Sequence, residues 1–190
     1  MTKSLFRPPC LELYRAWLAT GEADELLDAV LGETPWEQKQ ITVMGKTSPV
    51  PRLTCWIGAS AYDYSGVHNA AHGWTERLDA LRERLEAATE ATYNSCLLNR
   101  YRSGRDSVAW HSDDEPELGP TPTIASLSLG AARDFQMRPV GGGLSYTTEL
   151  GHGDLVVMSG ESQSAFRHQV PKRSAVAGER VNLTFRLFRA

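Results

Sequence analysis

The feature that most limits this chain's fold is a run of short strand-like segments, punctuated by turn residues, that fills its C-terminal half. Candidates are Ser95–Tyr101, Ser107–His111, Thr123–Leu129, Asp134–Arg138, Ser145–Leu150, Asp154–Met158, Phe166–Val170 and Arg180–Phe188. Eight short strands in under a hundred residues point to a sandwich or jelly roll. The N-terminal half reads differently. Leu26, Leu27, Val30 and Leu31 give Glu22–Leu31 the apolar face of a short helix, and Leu78, Leu81, Leu85 and Ala88 do the same for Trp74–Ala91. Between them, Lys39–Gly58 alternates like a β-ribbon, with Met44-Gly45 as the turn and Leu53–Ile57 closing the return leg. No linker divides the halves. The expectation is therefore a mainly β, α+β chain of one domain over 1–190, with an N-terminal extension over 1–93 packed on a jelly roll over 94–190.

Composition removes several classes. A chain of 190 residues, 41% hydrophobic and 23% charged, is ordinary for a globular domain. No apolar stretch reaches membrane length, and Met1–Leu5 lacks the core of a signal peptide. Cys10, Cys55 and Cys96 form neither a disulfide framework nor a zinc motif, so an intracellular, reducing compartment is expected: cytoplasm, or nucleus in a eukaryote. A net charge of −3 argues against a general nucleic-acid coat protein but leaves room for one local basic face.

His111-Ser112-Asp113 ends a predicted strand, where residues two apart share a face, so imidazole and carboxylate can converge on one ion. His168, on a later strand, would complete a two-histidine, one-carboxylate triad that leaves open positions on Fe(II). Taken singly, each of these residues reads more simply as a surface or packed polar group. His68, His72 and His152 lie in apparent loops and turns and read as structural or exposed.

The last strand adds a second pattern. Arg180, Asn182, Thr184 and Arg186 alternate with Val181, Leu183 and Phe185. Two guanidinium forks on one face suit a dicarboxylate such as 2-oxoglutarate. An edge strand with solvated arginines is the other reading of the same spacing. Asn99 and Tyr101 share a face and offer further donors, with Arg100 turned the other way.

With these residues assembled, the chain resembles the AlkB family of iron(II)/2-oxoglutarate dioxygenases, in its nucleic-acid-repair branch. The carrying motifs are Leu97-Leu98-Asn99-Arg100-Tyr101, His111-Ser112-Asp113-Asp114-Glu115-Pro116, His152-Gly153-Asp154, His168 and Arg180-Val181-Asn182-Leu183-Thr184-Phe185-Arg186. Ser107–Trp110, Ile124–Gly130, Val43–Lys46 and Pro51–Gly58 extend the likeness over most of the chain. The resemblance implies a double-stranded β-helix. It implies Fe(II) on His111, Asp113 and His168, with 2-oxoglutarate held by Arg180, Arg186, Asn99, Tyr101 and Asn182, and molecular oxygen as the oxidant. The implied reaction is oxidative demethylation of 1-methyladenine and 3-methylcytosine in DNA, with RNA also within reach, by a monomer that meets no membrane.

Substrate contacts are expected from Glu115 and Asp114, whose charge would favour a cationic methylated base; a solvated acidic loop is the alternative. Lys46, Arg52, Arg100, Arg102, Arg105 and Lys172-Arg173 are candidate phosphate contacts. Met44, at the ribbon tip, reads either as a wedge between base steps or as ordinary hairpin packing. Two rivals remain: an oxygenase of the same chemistry acting on RNA, protein or lipid, and a non-catalytic metal-binding jelly roll.

Overall fold

The computed structural model of the chain describes residues 8, 10–43, 45–58, 62–64 and 67–189, with Val43, Lys46 and residues 62–64 and 67–69 described by backbone alone. The N-terminal half comprises β1 (Leu11–Tyr14), α1 (Thr20–Glu33), β2 (Gln40–Val43), β3 (Lys46–Pro49), β4 (Leu53–Gly58), β5 (Tyr62–Tyr64), β6 (Val67–Asn69), β7 (Ala71–His72) and α2 (Glu76–Thr89). The C-terminal half comprises β8 (Ser95–Tyr101), β9 (Val108–His111), β10 (Ile124–Gly130), β11 (Arg133–Pro139), β12 (Tyr146–Leu150), β13 (Leu155–Met158), β14 (Phe166–Val170) and β15 (Arg180–Arg186).

The eight C-terminal strands divide four and four. β13, β10, β15 and β8 are neighbours in one antiparallel sheet, and β12, β11, β14 and β9 form the second. This is the jelly roll expected from the strand pattern, in the double-stranded β-helix form that the resemblance implies. The N-terminal half does more than pack on it. β1 pairs with β13 at one edge of the larger sheet; β4 pairs with β8 at the other, and β7 pairs with β4, making seven strands in all.

The ribbon's return leg is β3, whose Lys46–Pro49 pairs with Val43–Gln40, whereas Leu53–Gly58 is β4 of the large sheet. The segment holding His68 and His72, expected as loop, contributes β6 of a second small hairpin and the short strand β7. Such strands of two or three residues are too short to show a period.

The large sheet buries both faces, and the alternation of its strands says how. Val181, Leu183 and Phe185 point to the side where α1 and α2 lie, packing with Leu98, Leu127, Leu26, Val30, Leu78, Leu81 and Leu85. Thr75 begins α2 by accepting a hydrogen bond from the Leu78 N–H at 3.3 Å. Trp74 stacks on Phe185 with ring centroids 6.1 Å apart, so the aromatic cluster ties the helix start to the middle of the sheet. Between the sheets, a smaller apolar cluster of Leu11, Ile124, Phe135, Met137, Leu150, Val156 and Met158 fills one end. The other end is polar and opens into a cavity.

Candidate metal centre and cosubstrate cavity

β9 and β14 are antiparallel neighbours whose register sets His111 directly opposite His168, with ring centroids 4.2 Å apart. Opposed residues of an antiparallel pair project to the same face. Asp113 follows just beyond the end of β9. Its backbone N–H donates to Gln163 Oε1 at 2.9 Å, and Ser112 Oγ donates to the Phe166 carbonyl at 3.0 Å. Those two bonds fasten the turn against β14 and aim the carboxylate at the imidazoles. His111 Nε2 lies 3.8 Å from Asp113 Oδ1, and one ligand atom from each of the three residues falls within 4.8 Å of the others. The Ala109 carbonyl accepts from His111 Nδ1 at 2.8 Å, which places the proton there and frees the Nε2 lone pair for a metal.

Electrostatics reinforce this donor set. Burial pushes the His168 imidazole down to about 3, with His111 adding to the fall and Asp113 opposing it. His111 is also lowered, chiefly by burial. Burial alone would raise the Asp113 carboxyl, but Arg186, His168 and His111 together hold it well below the usual carboxylate range. The result is two neutral imidazoles beside one ionised carboxylate, a set that suits a divalent first-row transition metal.

β15 runs beside this centre in the middle of the large sheet, between β10 and β8. Arg180 is 2% and Arg186 5% exposed, which removes the edge-strand reading of the two arginines. Arg186 Nη2 is 2.9 Å from Asp113 Oδ2. Arg180 donates from Nη2 to Ser128 Oγ at 2.9 Å and lies over the Tyr101 ring, 5.1 Å from its centroid. Its Nε and Nη1 are buried with no hydrogen-bond partner. A buried cation in that condition is costly unless an anion joins it. Asn99, Tyr101, Asn182, Arg180 and Arg186 line one cavity of about 350 Å³ together with His111, Asp113 and His168.

Comparison with known proteins agrees with this geometry. A family model described as the 2OG-Fe(II) oxygenase superfamily matches residues 10–186. The chain belongs to the 2OG-Fe(II) oxygenase superfamily. Among oxygenases of this superfamily, it is 42% identical over 184 residues to alpha-ketoglutarate-dependent dioxygenase alkB homolog 3 of Mus musculus, covering 92% of this chain and 64% of the mouse protein. It is 33% identical over 186 residues to DNA oxidative demethylase ALKBH2 of Homo sapiens, covering 91% of this chain and 71% of that one. The chain thus spans a little under two thirds of the mouse relative's length. The solved structure of OsALKBH1 superposes with a TM-score of 0.67 at 19% identity, covering 95% of this chain and 99% of that one, a likeness of fold.

Within this oxygenase fold the expected substrate residues scatter. Glu115 and Arg52 line the cavity, and Arg52 Nε donates to Asn99 Oδ1 at 2.7 Å. Asp114 is exposed and does not line it. Arg100 does not line the cavity: β8 turns it to the face opposite Asn99 and Tyr101, where it pairs with Glu179 at 3.0 Å and lies over the Trp36 ring. Arg102 is paired with Asp106 and Arg173 with Asp134, and neither lines the cavity. Met44 and the side chain of Lys46 lie outside the described residues.

Further residues outside the sequence motifs' expected roles shape the site. Ser126 and Ser128 alternate on β10 and accept hydrogen bonds from Asn182 Nδ2 and Arg180 Nη2. That alternation was readable. Gln163, just after a 3₁₀ turn and 50 residues from Asp113, carries no local signal. His152, expected in a structural turn, accepts the Gly130 N–H at 2.8 Å and braces the end of β10.

Proposed function

We propose that this chain is an Fe(II)- and 2-oxoglutarate-dependent demethylase of N-alkylated nucleobases, acting on 1-methyladenine and 3-methylcytosine in DNA, with RNA as a further substrate. The carrying observation is that one cavity joins the His111–Asp113–His168 cluster to a buried arginine with two unpartnered nitrogens. The printed names of the relatives, a dioxygenase and a DNA oxidative demethylase, supply the substrate class.

In this reading His111, Asp113 and His168 hold the iron. Arg186, already against Asp113, stands at the metal end of the cavity, and Arg180 beside Tyr101 receives the far carboxylate. Asn182 braces: its Nδ2 donates to Ser126 Oγ and the Leu127 carbonyl, and its Oδ1 accepts from Thr184. When bound, iron with 2-oxoglutarate and oxygen supplies the oxidant that hydroxylates the N-methyl carbon. The hydroxymethyl product then loses formaldehyde to leave the repaired base, with succinate and carbon dioxide as the cosubstrate's products.

Glu115 at the cavity wall favours a base made cationic by methylation, and a poorly pairing base costs less to bring out of its stack. The whole of 1–190 acts as one catalytic unit, the jelly roll over 94–190 carrying the chemistry and the extension over 1–93 the nucleotide-recognition ribbon. Exposed large apolar side chains among the described residues are Tyr14, Val140 and Leu144, which supports a monomer. Three unbonded cysteines support an intracellular setting. Among the described residues no helix is long and apolar enough to cross a membrane.

The test is incubation with Fe(II), 2-oxoglutarate and methylated DNA and RNA oligonucleotides, reading base reversal and formaldehyde. Base reversal that disappears in His168→Ala, with the fold preserved, is expected. Succinate formation without reversal on any oligonucleotide would overturn the substrate class and favour another acceptor.

A further inference from the structure

The largest fully buried side chains include a second arginine that the chemistry above does not use. Arg133, at the start of β11, is 2% exposed. Its Nη2 donates to the carbonyls of Asp106 at 2.8 Å and Pro171 at 2.7 Å, and its Nη1 donates to the carbonyl of Ser103 at 3.2 Å. Its Nε is buried without a partner. The Asp106 carboxylate is within electrostatic reach, but Arg102 already occupies it with three bonds. Arg133 is thus a buried cation met mainly by neutral carbonyls, an arrangement that stability alone does not favour.

Its position gives the reason. The Arg133 guanidinium lies 5.6 Å from the Tyr101 ring centroid, and the Arg180 guanidinium lies 5.1 Å from the same centroid. Two buried arginines therefore lie against one tyrosine ring: Arg180 and Tyr101 line the cavity, and Arg133 stands outside its lining. Arg133 also ties together three segments: the 103–106 turn that follows β8, the start of β11, and Pro171, which follows the His168-bearing β14. The 103–106 turn is further locked to the 173–176 segment, where a Cβ on Gly104 would meet the Arg173 carbonyl at 1.7 Å.

Resting on the reading of this cavity as the 2-oxoglutarate site, we propose that Arg133 is a positioning and specificity-determining residue for the cosubstrate. It sits behind Tyr101, fixes that ring beside Arg180, and adds a second positive charge to the far end of the cavity. That end is thereby set to prefer a 2-oxo acid with a distal carboxylate over one without it. A unit charge about 10 Å away at an effective dielectric constant of about 20 changes affinity roughly tenfold.

The experiment compares Arg133→Met, Arg133→Lys and Arg180→Met with the parent protein. Binding of 2-oxoglutarate and of 2-oxopentanoate, which lacks the distal carboxylate, is measured calorimetrically on Mn(II)-loaded protein, alongside KM and kcat. Arg133→Met is expected to weaken 2-oxoglutarate roughly tenfold and to leave 2-oxopentanoate within about twofold, so the preference collapses; KM rises while kcat at saturation holds. Arg133→Lys, which keeps the charge, is expected to recover most of the preference. Equal weakening of both acids, or a lowered melting temperature with the preference intact, would make Arg133 a structural clamp and overturn the proposal. If Arg133→Met does not fold, Arg133→Gln, which loses the charge but keeps a donor for the carbonyls, takes its place, and an undiminished preference in that variant overturns the proposal. Unchanged 2-oxoglutarate affinity in Arg180→Met would instead overturn the cavity reading on which the proposal rests.

Discussion

At the residue scale, the metal cluster shows how much of a site's precision lies outside the side chains that define it. Asp113 is beyond the end of its strand and has no ladder to hold it; Gln163 does that work through the Asp113 N–H, while its own Nε2 donates to Ser162 Oγ at 3.1 Å. Removing such a support loosens the carboxylate without deleting a ligand. Gln163→Ala is expected to lower Mn(II) affinity ten- to hundredfold in calorimetric titration, with the circular dichroism spectrum unchanged. Parent-like affinity would show that the turn is held by the Ser112–Phe166 bond alone.

At the element scale, one carboxylate adds a polar anchor to the strand pairings that join the N-terminal extension to the jelly roll. Asp154 accepts from the N–H groups of Ala16 and Gly151, each at 2.9 Å, and pairs with Arg15. This anchors the link between β1 and α1, where Ala16 takes a left-handed conformation at φ 46°. Burial pushes the Asp154 carboxyl up, but the bonds from Gly151, Ala16 and Arg15 outweigh it and hold the carboxyl below its ordinary value. A carboxyl lowered by folding stabilises the fold above its unfolded value, about 3.9, and that contribution drains away as pH falls through the folded value. Asp154→Asn is therefore expected to cost about 1–3 kcal/mol near neutral pH in urea unfolding, and the gap from the parent should close as pH drops below about 4. A gap that stays constant with pH would mean that the ionised form contributes nothing.

At the scale of the whole molecule, the two sheets enclose a cavity whose charges are incompletely matched without a ligand. Arg180 has buried nitrogens awaiting acceptors, and the His111–Asp113–His168 donors converge on a single point. Ligands that bind only the folded state stabilise it by mass action, about 2.7 kcal/mol at a hundredfold excess over Kd. Mn(II) and 2-oxoglutarate together should therefore raise the melting temperature by about 5–10 °C. EDTA should reverse the gain, and 2-oxoglutarate alone should give less. A melting temperature indifferent to both would deny the cavity its ligands.

Strand periodicity carried most of the fold. Ser95–Tyr101 and Phe166–Val170 coincide with β8 and β14, and the other six expected strands fall within a few residues of β9 to β13 and β15. The two site patterns were equally legible, because an HxD pair at a strand end and polar residues alternating from Arg180 to Arg186 along one strand are local patterns. What the sequence by itself determined was the set of elements and the faces their residues share, since alternation fixes which side chains lie together on one strand.

The tertiary structure decided which strands become neighbours. Placing β15 in the centre of the large sheet turned two arginines from solvated charges into buried ones, and pairing β9 with β14 brought His111 opposite His168. Leu53–Gly58 left the ribbon for the large sheet because its partner is β8, nearly forty residues later. Arg133 and Gln163 act across 30 to 50 residues of chain, through backbone carbonyls and an N–H that any sequence would offer. Contacts of that kind leave no trace in residue type or spacing; only the packed sheets bring them together.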